Sequence, residues 1–138
     1  MAEPVVVSGA GALPVRVVQG AVRQVLAGER RHAAVSVTFL GPTAMQRLNR
    51  DYKHRDRCTD VIAFALPQPD GSLAGDIYVC RHQAVRFARR RGIPVRQELL
   101  RLVVHGTLHV LGHDHPESAA RERSPMWQAQ ERYVESLR

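Results

Sequence analysis

The sequence predicts an α+β fold in which a small mixed β-sheet packs with about five helices. Three observations predict it. The chain is long enough for one core, segments with strand periodicity alternate with helical segments, and a short turn joins two of the strands. No internal repeat and no Ser/Gly-rich linker divides the chain. We therefore expect a single domain over residues 1–138.

The first part of the chain supplies two strands and two helices. The segment "PVVVSG" is short and β-branched, and "AAVSVTFL" alternates, so both are predicted strands. Between them, Leu13 to Leu26 has the apolar spacing of an amphipathic helix, which is expected to end at Gly28. A second helix, "GPTAMQRLNRDYK", has Pro42 in its first turn, where proline is favoured.

A hairpin is expected in the middle of the chain. The polar loop "HRDRCT" leads into the apolar strand "DVIAFAL", and "DIYVC" is the returning strand. The residues between them, "PQPDGSLAG", are turn-forming, so the two strands are expected to pair with each other. Thr59 and Asp60 are expected to cap and shape the entry to the first of these strands.

The last third of the chain is predicted to be helical. "RHQAVRFARRRG" is a basic helix that ends at Gly92, and "VRQELLRLVVHGTLHVLG" is a largely apolar helix that ends at Gly112. The buried stripe of the apolar helix consists of Leu100, Val104, Leu108 and Leu111. A final helix is expected from about Glu117 to Leu137, and Pro125 is a position at which it could break.

The charge of the chain favours a polyanionic partner. Lysine and arginine number 20 against 13 acidic residues, for a formal net charge of +7, and Lys53 is the single lysine. Because phosphate neutralisation dominates nucleic-acid affinity, this balance is typical of proteins that bind RNA or DNA. An arginine-rich proteome would explain the same composition equally well.

The sequence also bears on the compartment. No run approaches the ~18 apolar residues of a membrane span, and the N-terminus has no basic flank before a long apolar region. Cys58 and Cys80 could form one disulfide at most, which is a poor fit to a secreted framework. We therefore expect a soluble cytoplasmic protein with no membrane partner.

The stretch "HGTLHVLGHDH", which ends at His115, holds four of the seven histidines. His105 and His109 lie one helical turn apart, where both imidazoles can reach one metal ion. Gly112 then lets the chain turn, so that His115 can fold back as a third ligand. The spacing is that of the metzincin signature H-E-x-x-H-x-x-G-x-x-H. We therefore predict one Zn²⁺ ion per chain, bound by these three histidines with a fourth position open for water.

Three neighbouring residues and the choice of metal leave alternatives open. His113 could replace His115 as the third ligand, although the pattern favours His115. Asp114 could orient a ligand imidazole or cap the turn. Metzincins carry a glutamate general base where this chain has Gly106, so peptide hydrolysis is disfavoured. Three imidazoles suit zinc, but nickel, copper and iron also accept them.

Three segments of the chain resemble the YbeY family of bacterial endoribonucleases and ribosomal RNA maturation factors. "HGTLHVLGHDH" is similar to the family pattern H-G-x-L-H-L-x-G-Y-D-H, with His113 where tyrosine is usual. "LNRDYKHRDRCTDVIAF" is similar to L-N-x-x-Y-R-x-x-D-x-P-T-D-V-L-S-F, and "AGDIYVC" is similar to L-G-D-I-x-I-C. Together with the order of the elements, the resemblance spans nearly the whole chain.

The resemblance implies both a fold and an activity. The fold would be an α+β sandwich with the histidine helix beside a cleft, and the activity would be metal-dependent cleavage of RNA. The implied role is processing of the 3′ end of 16S ribosomal RNA, with ribosome quality control. The small ribosomal subunit or ribosome-associated proteins would be partners, and DNA would not.

The resemblance also carries over to individual residues. The family's three metal-binding histidines match His105, His109 and His115 one for one. Its important arginine falls on Lys53, which keeps the positive charge but lacks the planar guanidinium fork. Its proline before Thr-Asp falls on Cys58, which we interpret as an ordinary loop thiol, with a soft group near the metal as the alternative.

From these observations we expect a hydrolytic endoribonuclease that acts on single-stranded or loosely paired RNA. Lys53 is the expected catalytic residue, because it would stabilise charge on the phosphate, and Arg55 and Arg57 would bind substrate. Flanking RNA backbone would contact the basic helix, through Arg86, Arg89, Arg90 and Arg91. With three tyrosines, three phenylalanines and one tryptophan, the chain shows no obvious base-stacking platform.

Two other functions remain as alternatives. The metzincin-like spacing is compatible with a metallopeptidase or amidase, against which Gly106 argues. The basic surface is compatible with a non-catalytic ribosome assembly factor in which the metal is structural.

Overall fold

The computed structural model of the chain describes residues 4–9, 13–53, 60–115 and 119–137. Within these ranges there are four strands: β1 (Val5–Ser8), β2 (Ala34–Leu40), β3 (Val61–Pro67) and β4 (Leu73–Cys80). The α-helices in the same ranges are α1 (Val15–Glu29), α2 (Pro42–Lys53), α3 (Arg81–Arg91), α4 (Val95–Val110) and α5 (Pro125–Leu137). A short 3-10 helix, Ala119–Arg123, precedes α5.

The four strands form one mixed sheet with the order β1-β2-β4-β3. Strands β1, β2 and β4 are parallel, and β3 is antiparallel to β4. The predicted hairpin is confirmed, with Pro67 opposite Leu73 and the Gln68 N–H donating to the Ser72 carbonyl at 2.8 Å. The prediction of an α+β fold with a small mixed sheet is therefore also confirmed.

The main core lies on one face of the sheet, beneath α1 and α4. Alternate residues of β2 are buried, as expected for a strand with one covered face, and Val35 and Val37 belong to this core. Ile77 and Val79 contribute to it from β4. A smaller cluster around Met45 of α2 lies apart from the main core.

Helix α4 is central to the packing, since it contacts α1, α3, α5, β3 and β4. It approaches β4 closely at two glycines. A Cβ atom on Gly106 would lie 2.5 Å from Ile77 Cγ2, and one on Gly75 would overlap the side chain of Val110. The absence of these two side chains therefore lets the histidine helix lie against the sheet.

The end of α1 differs from the prediction. The helix continues through Gly28 to Glu29, and Arg30 ends it with φ of 56°. The backbone N–H groups of Arg30 and Arg31 donate to carbonyls in the last turn. Gly28 is needed for another reason, because a Cβ atom there would overlap the ring of Tyr133.

The final helical segment is interrupted just before Pro125, the position at which the sequence predicted a possible break. The 3-10 helix ends at Arg123, and α5 begins at Pro125 with Ser124 before it. The Ser124 hydroxyl oxygen accepts a hydrogen bond from the Trp127 N–H at 3.2 Å, which is the geometry of a serine N-cap followed by proline. Glu117, the predicted start, lies outside the described residues. No helix in the described part of the chain is long and apolar enough to cross a membrane.

Candidate metal centre

Three histidines converge at the C-terminal end of α4. The ring centroids are 4.7 Å apart for His105 and His109, and His115 lies 5.0 Å from each of them. One ring nitrogen of each lies within 4.8 Å of those of the other two. Ligands in a tetrahedral site with bonds of about 2.0–2.1 Å are separated by about 3.3 Å. Small rotations of the three side chains would therefore close the site around one ion, so the residues present fit a transition metal.

A Schellman turn places His115 beside the helix. Gly112 has φ of 98°, a conformation that favours glycine. Its N–H donates to the His109 carbonyl at 3.0 Å, and the His113 N–H donates to the Leu108 carbonyl at 3.0 Å. The Asp114 carboxylate accepts a hydrogen bond from the His115 N–H at 2.9 Å. Of the two roles considered for Asp114, this contact supports capping of the turn.

His113 points away from the centre and towards α1. Its Nε2 lies 2.6 Å from Glu29 Oε1, and Tyr133 donates to the other oxygen of Glu29 at 2.6 Å. Arg31 donates to the Leu111 carbonyl at 3.2 Å. The group of histidines that could hold a metal ion accordingly includes His115 and not His113. His113 instead connects the turn after α4 to the end of α1 through its contact with Glu29.

His105 is the most buried of the three histidines. Burial lowers the pKa of His105 to about 4, and the neighbouring His109 and His115 act in the same direction. The imidazole is therefore neutral near pH 7, which is the form that binds metal. Its Nδ1 lies 2.7 Å from Oε1 of Gln130 on α5.

A polar network extends behind Gln130. The Gln130 amide nitrogen donates to Glu131 Oε2 at 3.0 Å, and Arg101 donates to both Glu131 oxygens at 2.9 Å. Arg101 also donates to Glu98 at 3.0 Å, and Glu98 is only 2% exposed. Burial raises the pKa of Glu131, but the hydrogen bonds from Arg101 and Gln130 more than offset it, so that the pKa lies below its usual value.

This network was not predicted from the sequence. Glu98 and Arg101 are three residues apart on the histidine helix, so a helical projection could have joined them to each other. Gln130 and Glu131 are on a different helix, and no local pattern links them to His105.

Position 106 faces the sheet and not the histidines. Because Gly106 is buried against Ile77, a glutamate there would have no room beside the metal centre. The general base that metzincins carry at this position therefore has no counterpart on this helix at the same place.

The entry to β3 involves Asp60, as expected, since its carbonyl accepts a hydrogen bond from the Cys80 N–H at 2.8 Å. Burial raises the pKa of the Asp60 carboxyl group, and the positive charge of Arg121 partly offsets this effect. Thr59 and Cys58 lie outside the described residues, while Cys80 is buried.

The basic residues predicted to act on RNA are described only in part. Lys53 is the last residue of α2, and nothing is described of its side chain, while Arg55 and Arg57 lie outside the described residues. Their roles, and the cleft expected beside the histidine helix, stay predictions. The basic set on α3 is exposed, and Arg91 lies 4.8 Å from the ring of Phe87 and 4.0 Å from Glu122.

Comparison with known proteins identifies the family. A family model described as Endoribonuclease YbeY matches residues 13–138. A relative named Endoribonuclease YbeY from Desulfitobacterium hafniense is 41% identical over 108 residues, which are 71% of this chain and 69% of that protein. One of the same name from Halorhodospira halophila is 33% identical over 134 residues, or 93% and 85% of the two chains. The solution structure of a Thermotoga maritima protein is similar with a TM-score of 0.68 and 28% identity, covering 96% of this chain and 88% of that one. The chain thus belongs to the YbeY endoribonuclease family.

Proposed function

We propose that this chain is a metal-dependent endoribonuclease that processes ribosomal RNA precursors in the cytoplasm. The observation that carries the proposal is the three-histidine cluster at the end of α4, in a chain that belongs to a family of endoribonucleases. The net charge of +7 adds support, because an RNA substrate is a polyanion.

His105, His109 and His115 would hold one ion per chain. Three imidazole donors, with a fourth position left for water, would favour Zn²⁺ in a catalytic site. When bound, the ion would supply Lewis-acid chemistry to a phosphodiester oxygen and to an attacking water.

The chain's own basic residues would bind and orient the RNA. Lys53 would stabilise the negative charge that develops on the phosphate, and Arg55 and Arg57 would hold the substrate. The exposed arginines of α3 would contact backbone on either side of the cleaved bond: Arg86, Arg89, Arg90 and Arg91. Such contacts favour single-stranded or loosely paired RNA with little sequence preference. The 3′ end of the 16S ribosomal RNA precursor, presented on the small ribosomal subunit, is the proposed substrate.

The orientation of position 106 argues against a metallopeptidase. A peptidase of the metzincin type needs a carboxylate beside the first histidine to move a proton, and here that position is filled by a glycine packed on Ile77. Phosphodiester cleavage can instead rely on the stabilisation of charge by the metal and by basic side chains.

Cleavage of single-stranded RNA tests the proposal. We expect cleavage by the zinc-loaded protein and none after chelation or in the His109→Ala variant, because each change removes the ion or one of its ligands. His32→Ala is the matched control, since this exposed histidine is not one of the three in the cluster, and it should cleave like the wild type. Equal rates in all samples would contradict the proposal.

Lys53→Ala separates the enzyme from the assembly factor. We expect the variant to keep its zinc and to lose about 100-fold in kcat, as when a donor that stabilises transition-state charge is removed. A non-catalytic assembly factor would show no cleavage in any sample, while binding of small-subunit particles would survive both Lys53→Ala and His109→Ala.

A further inference from the structure

We propose that Gln130 is a positioning residue that fixes the tautomer of His105, with Arg101 and Glu131 holding the Gln130 amide in one orientation. This inference rests on the histidine centre, and it does not depend on which substrate the chain cleaves. The orientation of each group in the network is determined by which atoms can donate a hydrogen bond and which can only accept one.

An ion pair between Arg101 and Glu131 joins α4 to α5. The Arg101 guanidinium has donors only, and its Nε and one terminal nitrogen each lie 2.9 Å from a different oxygen of Glu131. The bidentate contact keeps Glu131 ionised, in line with its lowered pKa. An ionised carboxylate can only accept hydrogen bonds, so Glu131 presents an acceptor to whatever lies beside it.

The ionised Glu131 determines the orientation of the Gln130 amide. Nitrogen and oxygen of an amide are distinguished by their partners. The amide atom that lies 3.0 Å from Glu131 Oε2 must be the nitrogen, because an oxygen there would repel the carboxylate. Gln130 is 1% exposed, so water does not compete for these positions. Its Oε1 therefore points at His105.

The orientation of Gln130 in turn determines the tautomer of His105. Because Gln130 Oε1 is an acceptor, the imidazole nitrogen that lies 2.7 Å from it must carry the hydrogen. A neutral ring has one N–H, so Nδ1 is protonated and Nε2 keeps its lone pair. The ring nitrogen left for a metal is then Nε2, and the same hydrogen bond makes the ring more basic.

The network is also fully satisfied, which explains how it persists in the interior. Glu98 and Gln130 are nearly inaccessible, and among the described residues no buried side-chain nitrogen or oxygen lacks a partner. Glu98 accepts from the remaining terminal nitrogen of Arg101 and so holds the guanidinium from the side opposite Glu131. Removing one member would leave another buried group unpaired.

Metal affinity tests the inference without any RNA. Gln130→Met keeps the length of the side chain and removes the acceptor, so we expect zinc affinity, measured by competition with a chromophoric chelator, to fall about 10- to 100-fold. The absorption spectrum of the Co²⁺-loaded protein should change with it, because the His105 ring is no longer held. Met126→Leu is the control, as this residue is equally buried on the same helix but belongs to the apolar core, and it should keep wild-type affinity and spectrum.

Two results would overturn the inference. One is wild-type affinity and an unchanged Co²⁺ spectrum in Gln130→Met, and the other is an equal loss in Met126→Leu, which would indicate a general effect of disturbing α5. If Gln130→Met fails to fold, nitrogen-15 NMR of the wild-type apoprotein decides instead. Protonated Nδ1 in His105 supports the inference, and protonated Nε2 contradicts it. Loss of metal affinity with RNA cleavage absent from every sample would overturn the proposed function and leave this inference standing.

Discussion

His113 shows at the scale of one residue how the geometry of a site depends on a side chain outside it. The segment that carries His115 has no regular secondary structure and follows directly after α4. His113, in the same segment, bonds Glu29 at the end of α1, and Glu29 is held in turn by Tyr133 of α5. The segment that carries the third histidine is therefore held against the end of α1, and Tyr133 of α5 supports this contact through Glu29.

The hydrogen bonds of Glu29 make the free energy of unfolding depend on pH. The hydrogen bond from Tyr133, with smaller effects of His113, lowers the pKa of Glu29 below the usual 4.5 in spite of burial. A carboxylate with a lowered folded-state pKa stabilises the fold above its unfolded pKa, and this stabilisation is lost as pH falls through the folded value. We expect the metal-free wild type to unfold at a higher temperature than Glu29→Gln at pH 6, and the difference to shrink below about pH 4.5.

Thermal unfolding followed by circular dichroism in EDTA measures this difference. Asp51→Asn is a suitable control, because Asp51 is exposed and lies 3.5 Å from its neighbour Arg50, a surface contact of little energetic value. A difference between wild type and Glu29→Gln that stays constant from pH 6 to pH 3 would contradict the account.

A contact between two residues could be predicted from the sequence when they are close together in the chain, and could not when they are far apart. The grouping of His105, His109 and His115 could be predicted because all three lie in one helix and the turn after it. The choice between His113 and His115 stayed open, because the deciding contact is with Glu29 on another helix. Gln130 could not be predicted at all, since only tertiary packing brings α5 to His105.

At the scale of elements, α4 combines two functions on two faces. One face contacts the sheet closely enough that position 106 must be glycine, and the other presents the histidines. The packing contact therefore sets how near the metal centre lies to β3 and β4, both of which α4 contacts.

Glycine-to-alanine substitutions in two helices test this close contact. Gly106→Ala should destabilise the fold by about 1–3 kcal/mol, because its Cβ would meet Ile77 Cγ2 at 2.5 Å. Gly20→Ala in α1 should stabilise it by about 0.5–1 kcal/mol, because alanine favours helix and that position is open to solvent. Urea denaturation measures both values, and an equal gain in stability for the two variants would show that α4 is not pressed against β4.

Elements with local sequence signals were predicted well, and elements that depend on distant contacts were not. Helix α2, helix α3 and the β3–β4 hairpin have local signals, such as Pro42, Gly92 and the turn-forming residues, and the structure agrees with them. The end of α1 was predicted wrongly, because Gly28 was interpreted as the residue that ends the helix. The structure shows instead that Gly28 makes room for the ring of Tyr133, which is more than a hundred residues later in the chain. Strand β4 begins earlier than predicted, since Leu73 pairs with Pro67 of β3, and Ala74 pairs with Leu66 of β3 and Ala34 of β2.

At the scale of the whole molecule, the candidate site depends on several separate parts of the chain. Helix α4 and its turn supply the histidines, α5 orients one of them, and α1 anchors the turn. The order and packing of these elements match those of a solved structure at a TM-score of 0.68. A single domain over residues 1–138 stays a prediction, as do the roles of Lys53, Arg55 and Arg57.

Titration of the metal-free protein with zinc tests the central claim most directly. We expect cleavage of an RNA fragment containing the 3′ end of the 16S precursor to be absent at first, to rise in proportion to added zinc and to level off at one ion per chain, because one histidine cluster binds one ion. His109→Ala should gain no activity over the same range. Full cleavage before any zinc is added, or equal recovery in His109→Ala, would contradict the claim that the histidine centre carries the activity.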